Sequence, residues 1–333
     1  MIQNSPASDL TIPGVAYPVD PTKRTEWIVA RRPPRNQVDP DRPYAFFVEQ
    51  ERSASGEIVP ISTIFLTNRE CPWRCAMCDL WRNTLTESVP PGAIPRQIQF
   101  ALDRLPAARQ VKLYNSGSFF DAQAIPPSDY PAIAKLLQPF ERVIVECHPA
   151  LIGERCWEFC EMLERPLEVA MGLETAHPGV LEKLNKRMTI ELFAQAAQKL
   201  RAHAVGLRVF VLVQPPFMDS GESLTWAKRS VDFAFACGAS VVSLIPTRGG
   251  NGAMETLARM GEFEAPSLAT LEYAVEYGQR LERGRVFADL WDLEQSAPRC
   301  AACWPPRLER LRTMNLSQHV PERVPCALCG GAS

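Results

Sequence analysis

The sequence predicts an α/β fold built as an open or partial barrel of parallel βα units, an expectation resting on rhythm, count and composition. Short β-branched runs alternate with stretches in which apolar residues recur every three or four positions. Six such runs fall before residue 246: 61–68, 110–115, 142–147, 167–172, 207–213 and 240–245. A closed eight-unit barrel takes about 250 residues, so six units fit a partial barrel better, with a doubly wound sheet as the alternative. In either fold, ligands sit where the loops converge at the carboxyl ends of the strands.

Each element has its own signal. The first 60 residues, with PVDPTK, RRPPRNQVDPDRP and SASGE, are rich in proline and turn formers and read as an irregular arm laid over the domain. Residues 61–284 form the core barrel, and IPRQIQFALDRL, YPAIAKLLQPF, ERCWEFCEML, IELFAQAAQKLRAH and TWAKRSVDFAFA supply its covering helices. Residues 285–333 form a cysteine-bearing extension with one helical piece, RLERLRTMN.

At 333 residues, with 46% hydrophobic and 22% charged residues, the chain can bury a sizeable core, which excludes wholesale disorder. Its net charge of -2 gives no whole-molecule attraction for nucleic acid, so any RNA must meet a local patch or be presented by a partner. No run reaches the roughly 20 apolar residues of a membrane span, and the start lacks the regions of a signal peptide, so a cytoplasmic protein is expected. In such a compartment 11 cysteines point to metal or catalysis rather than to a disulfide framework. Neither a phosphate-cradling GxxxxGK(S/T) nor a nucleophile elbow GxSxG occurs, which leaves an NTPase or serine hydrolase without support.

Directly after the first expected strand, TNRECPWRCAMCDLW places Cys71, Cys75 and Cys78 in a CxxxCxxC loop. Three soft thiolates can hold an iron-sulfur cluster while leaving one iron open to a ligand. In the tail, Cys300 with Cys303 and Cys326 with Cys329 form two CxxC knuckles suited to one four-thiolate site, either structural zinc or a second iron-sulfur cluster. Cys156, Cys160 and Cys237 read as core, and the pair Cys147–His148 ends the third expected strand.

The triplet in this position resembles the radical S-adenosylmethionine (SAM) superfamily, whose core is a partial (β/α)6 barrel. The resemblance implies that Cys71, Cys75 and Cys78 bind three irons of a 4Fe-4S cluster and that SAM chelates the fourth. It further implies reductive cleavage of SAM to a 5'-deoxyadenosyl radical, fed by an external donor of flavodoxin or ferredoxin type. By the same resemblance Met77 meets the adenine, and Asn115, Ser116, Gly117 and Ser118 form the loop that receives the SAM amino group. An ordinary βα turn is the other reading of those four residues. GLET with NKRMT resembles the Elongator-like branch, which implies that Glu174, Lys186 and Arg187 contact the ribose and carboxylate and that Val213, opening VQPPF, lies against adenine.

LIPTRGGNGAMETLARMGEFEAPSLATLE, SGSFFD and the cysteine-rich tail most resemble the radical SAM subunits of archaeosine synthases and their bacterial relatives. That implies action on a 7-deazaguanine-type nucleoside in tRNA, alongside a tRNA-modifying partner subunit. Arg248 and Asn251 are the catalytic candidates, with Thr247 and Glu255 beside them, because a Gly-rich loop at the end of the sixth strand should face the cavity; a surface turn is the other reading. A sulfur-inserting enzyme such as a methylthiotransferase, or a noncatalytic iron-sulfur or zinc scaffold, are the competing functions.

Overall fold

The computed structural model describes residues 16–296 and 300–328. Helix α1 (Pro21–Val29) precedes strands β1 (Ala45–Arg52) and β2 (Ile58–Phe65). There follow α2 (Ala93–Leu102), β3 (Gln110–Tyr114), α3 (Tyr130–Leu137), β4 (Arg142–Glu146), α4 (Glu154–Leu163) and β5 (Leu167–Glu174). Next come α5 (Pro178–Lys183), α6 (Ile190–Ala202), β6 (Gly206–Val213), α7 (Ser220–Ala236) and β7 (Val241–Pro246). The chain ends with α8 (Ala253–Arg259), α9 (Leu268–Arg280), β8 (Arg285–Ala288), α10 (Leu293–Ser296) and α11 (Trp304–Ser317).

The strands form one eight-stranded sheet in sequential order, curled into a partial TIM-like barrel. β1 is antiparallel to β2, and every later pairing is parallel. All six expected strands are present. The segment before residue 60, expected to be irregular, carries α1 and β1: AFFVEQER runs back along β2 through a turn in which Ser53 N donates to Glu57 O at 2.7 Å and Gly56 adopts φ +84°. The extension opens with a further short strand, β8. Among the described residues, no helix is long and apolar enough to cross a membrane.

The helices are placed by ordinary local chemistry. Thr189, Asp219 and Ser267 cap α6, α7 and α9 by accepting from Leu192, Gly221 and Thr270 backbone N–H groups. Ile94, Ile98 and Ala101 give α2 one buried face, which joins a single core cluster between the helices and the outer face of the sheet.

The seam between β8 and β1 is closed by α11 rather than by a strand. Its Gln318 neighbour at the helix end accepts from Val286 N (2.7 Å) and donates to Val286 O (3.0 Å). Asn315 does the same for Ala288, at 2.8 and 2.9 Å. Two side-chain amides thus imitate the next strand and satisfy an edge that would otherwise invite pairing with another chain. Asn315→Leu should leave both Ala288 groups unpaired and cost about 1–3 kcal/mol in urea unfolding; an unchanged midpoint would refute this role.

Inside the barrel lies a buried ionic floor. Lys112 Nζ sits 2.7 Å from Glu51 and 2.9 Å from Glu49, while Arg208 reaches Glu51 at 2.6 Å and Glu168 at 2.7 Å. These side chains come from β1, β3, β5 and β6, so the network ties together strands distant in sequence.

Candidate active site

The cysteine loop follows β2 and is held from three sides. From the arm, Arg32 (2.7 Å) and Arg35 pair with Glu70, the residue before Cys71, and Arg74 of the loop itself joins them at 3.1 Å. From the segment after β5, Leu184 O accepts from Ala76 N at 2.9 Å and Asn185 Nδ2 donates to Arg74 O at 2.8 Å. From the loop after β7, Asn251 Nδ2 donates to the carbonyls of Ala76 and Cys78 at 2.8 and 3.0 Å. Above it, Trp27 and Ile28 of α1 pack with Ala76, Ala253, Met254 and Leu257, so the arm roofs the loop. Cys71, Cys75 and Cys78 are half-buried free thiols, and burial pushes Cys71 up to about 12 and Cys78 up to about 11.

The Asn115–Ser118 turn lies against this loop. A methyl group at Gly117 would stand 3.3 Å from Cys71 Cβ. Glu146, at the end of β4, accepts from the backbone N–H of Asn115 and from that of Gly117 at 3.3 Å. Burial raises its carboxyl to about 7, opposed by those amides. Tyr44 OH is 3.1 Å from Ser116 Oγ, and Ser118 Oγ accepts from His148 N at 2.9 Å. Asn115 is wholly buried, and its side-chain Oδ1 and Nδ2 have no partner among the described residues. A buried, unsatisfied amide costs about 1–3 kcal/mol, so its presence beside three thiols calls for a polar ligand.

The other sequence candidates occupy distinct places. Lys186 Nζ pairs with the Glu174 carboxylate and donates to Gly172 O at 2.5 Å, at the carboxyl end of β5. Arg187 is turned to the arm, donating to Pro21 O at 2.6 Å. Val213 is buried, and its carbonyl accepts from Thr247 N and Oγ1 at 3.1 and 2.9 Å. Met77 packs between the arm cluster and a second one formed by Val180, Leu184 and Leu212.

Arg248 lies 3.5 Å from Asp79, the residue after Cys78, and donates to Trp291 O at 3.3 Å. Glu255 shapes its own loop, accepting from the N–H of Gly250 and from that of Gly252 at 2.6 Å. Gly252 has no alternative, since at φ +83° a Cβ would sit 1.8 Å from Arg31 O. Asn251, a catalytic candidate in the sequence, has its amide engaged with the cysteine loop, and its Oδ1 accepts from Met254 N at 2.8 Å. Asn251→Ala should cost about 1–3 kcal/mol and lower the iron retained after reconstitution; full iron content with unchanged stability would contradict it.

Sequence reasoning passed over Glu70, Glu146 and Tyr44. Glu146 was signalled by a lone carboxylate at the end of a β-branched run; Glu70 and Tyr44 carried no spacing that marks a site. Cys147 and Cys156 are buried, and Cys160 and Cys237 are half-buried.

In the tail the sulfurs of Cys300, Cys303 and Cys326 lie within 4.8 Å of one another, with Cys300 and Cys326 3.8 Å apart. Cys329 lies outside the described residues. Arg307, one turn into α11, pairs with Glu272 near the start of α9 at 2.5 Å, while the far end of α11 meets the beginning of β8. The three thiols therefore stand at the end of the barrel where the strands finish, the end that also carries the triplet.

Solved structures similar to the chain include radical SAM enzymes, among them coproporphyrinogen III oxidase of Escherichia coli, with TM-score 0.40 and 15% identity over 74% of this chain and 52% of that one. Among curated proteins, archaeosine synthase subunit beta of Methanosarcina acetivorans is 27% identical over 219 residues, 62% of this chain and 63% of that protein. An uncharacterized protein of Methanocaldococcus jannaschii is 24% identical over 250 residues, 70% of this chain and 68% of that protein. The chain thus spans less than two thirds of the length of the archaeosine synthase subunit it matches. No protein-family profile matches the sequence.

Proposed function

We propose that the chain is a radical SAM enzyme acting on a 7-deazaguanine-type nucleoside in tRNA, together with a partner subunit and an external one-electron donor. The observation that carries this reading is the juxtaposition of Cys71, Cys75 and Cys78 with the orphaned, buried amide of Asn115 at the mouth of the barrel. Similarity to archaeosine synthase subunit beta supports the substrate class.

The residues fit the cofactors. Three free thiols suit three irons of a 4Fe-4S cluster, and the Asn115 amide, with the backbone of Ser116 and Gly117 beside it, suits the amino and carboxylate groups of SAM. When bound, the pair supplies one-electron cleavage of the SAM carbon-sulfur bond and a 5'-deoxyadenosyl radical.

The chain's own residues then have definable tasks. Glu146 fixes the 115–117 backbone by accepting from its N–H groups, so that this turn needs no rearrangement to receive a ligand. Lys186 and Glu174 offer a cation and a carboxylate at the end of β5, suited to a ligand carboxylate and to ribose hydroxyls. Arg248, anchored on Asp79, joins the cysteine loop to the segment after β8. Trp27 and Ile28 pack over Ala76 and shield that side of the loop. The tail thiols suit zinc or a second cluster, either of which would staple the start of α11 to the segment that carries Cys326.

The test is release of 5'-deoxyadenosine from SAM by the anaerobically reconstituted protein under dithionite. Release that requires both reductant and cluster is expected; none under any reconstitution would remove the reading.

A further inference from the structure

The inner face of the sheet forms an open chamber with a pronounced chemical character. Phe65, Tyr114 and Phe210 end or centre their strands and are half-exposed, whereas their outward neighbours Ile64, Leu113 and Val211 are wholly buried under helices. Because side chains alternate across a strand, this exposure opens into the barrel and not to its outside.

The aromatic rings form a continuous arc. Phe47 stacks on Trp291 (5.5 Å, 12°), and Trp291 stands 6.4 Å from Phe65. Phe65 lies 5.9 Å from Tyr114, which lies 6.1 Å from Phe210. Below the arc the ionic floor seals the barrel, and above it Arg248 and Asp79 lead to the cysteine loop.

One carboxylate interrupts this wall. Asp289 follows β8, its N–H donating to Leu244 O at 2.8 Å, and its Oδ1 accepts from Trp291 N at 2.9 Å. No donor among the described residues bonds its Oδ2. Burial raises its carboxyl above the usual carboxylate range, opposed by the Trp291 N–H and by Arg248 and Lys112, with Glu49 also among the charged groups around it.

We propose that this chamber takes a guanine-type base, stacked on one ring of the Trp291–Phe65–Tyr114 arc and met by the edges of the others, with the Asp289 carboxylate accepting from its adjacent N–H donors. Aromatic faces supply stacking that any base can use. A carboxylate offers only acceptors, and among the common bases guanine and 7-deazaguanine present two neighbouring N–H donors, where adenine sets a donor beside an acceptor. The position beneath the triplet brings the base next to the SAM site. The assignment rests on the radical SAM reading for the chamber being the substrate site.

The experiment is titration calorimetry of the anaerobically reconstituted chain, with SAM present, against 7-deazaguanosine, inosine and adenosine. The 7-deazaguanosine should bind about tenfold or more tightly than adenosine, with inosine, which lacks the second donor, between them. Asp289→Asn should abolish the preference, and Trp291→Ala should weaken all three by roughly tenfold while keeping their ratio. Trp291 is 52% exposed, so its replacement carries the test even where Asp289→Asn folds poorly. Equal affinity for all three nucleosides, or an unchanged preference in Asp289→Asn, would overturn the proposal. Reductive SAM cleavage measured without nucleoside separates the two readings: release with no base preference removes this inference alone. Base preference without release supports the chamber and removes the radical reading.

Discussion

Cys75→Ala is expected to abolish reductant-dependent release of 5'-deoxyadenosine while leaving the fold intact. Cys75 sits mid-loop between Cys71 and Cys78, and a cluster that leaves one iron open for SAM needs all three thiolates. The loop itself is fixed by other groups: Asn251, Asn185, Leu184 and the Glu70–arginine cluster hold its backbone and flanks. Loss of iron with little change in melting temperature should follow. Cys237→Ala, on the outer side near the end of α7, should keep both iron and turnover. Undiminished release from Cys75→Ala would sink the assignment of the triplet.

The largest loss of stability is expected from Glu51→Ala. Its carboxylate is the only one of the floor that touches both Lys112 (2.7 Å) and Arg208 (2.6 Å) among the described residues. Removing it leaves Lys112 with Glu49 alone and Arg208 with Glu168 alone, and breaking such a buried network costs about 3–5 kcal/mol. Burial alone would raise this carboxyl, but Arg208 and Lys112 outweigh it and hold it well below the usual carboxylate range. Its contribution to stability is therefore complete above the unfolded carboxylate pKa of about 4.3 and declines as the pH falls below it. Urea titration of both proteins at neutral pH measures the difference; a shift under about 1 kcal/mol would show that the floor is not a cooperative unit.

The parallel strands were legible because β-branched runs such as RVIVEC and LRVFVLV recur between amphipathic stretches. β1 was not, for a physical reason. Its inward face carries Glu49 and Glu51, whose burial is sustained by Lys112 and Arg208 more than 60 residues away, so AFFVEQER lacks the pattern of a half-buried strand. β8 was too short to stand out within the extension.

The site was legible in outline through cysteine spacing, since a triplet after a strand carries its own chemistry. Its supports were not. Asn251 stood out because its loop is Gly-rich; there Gly252 lets the loop approach the arm at Arg31, and Gly250 supplies a left-handed turn at φ +109°. The Asp289 and Trp291 pair fell where the sequence read as tail. Only the curling of the sheet brings them beneath the triplet.

The most direct test of the account is a count of iron, sulfide and zinc per chain after anaerobic reconstitution. About 4 Fe and 4 sulfide that vanish in Cys75→Ala, with about 1 Zn or a further iron-sulfur cluster lost only on replacing Cys303, is the predicted result. A chain that takes up no iron, or whose iron survives removal of the triplet, would contradict it.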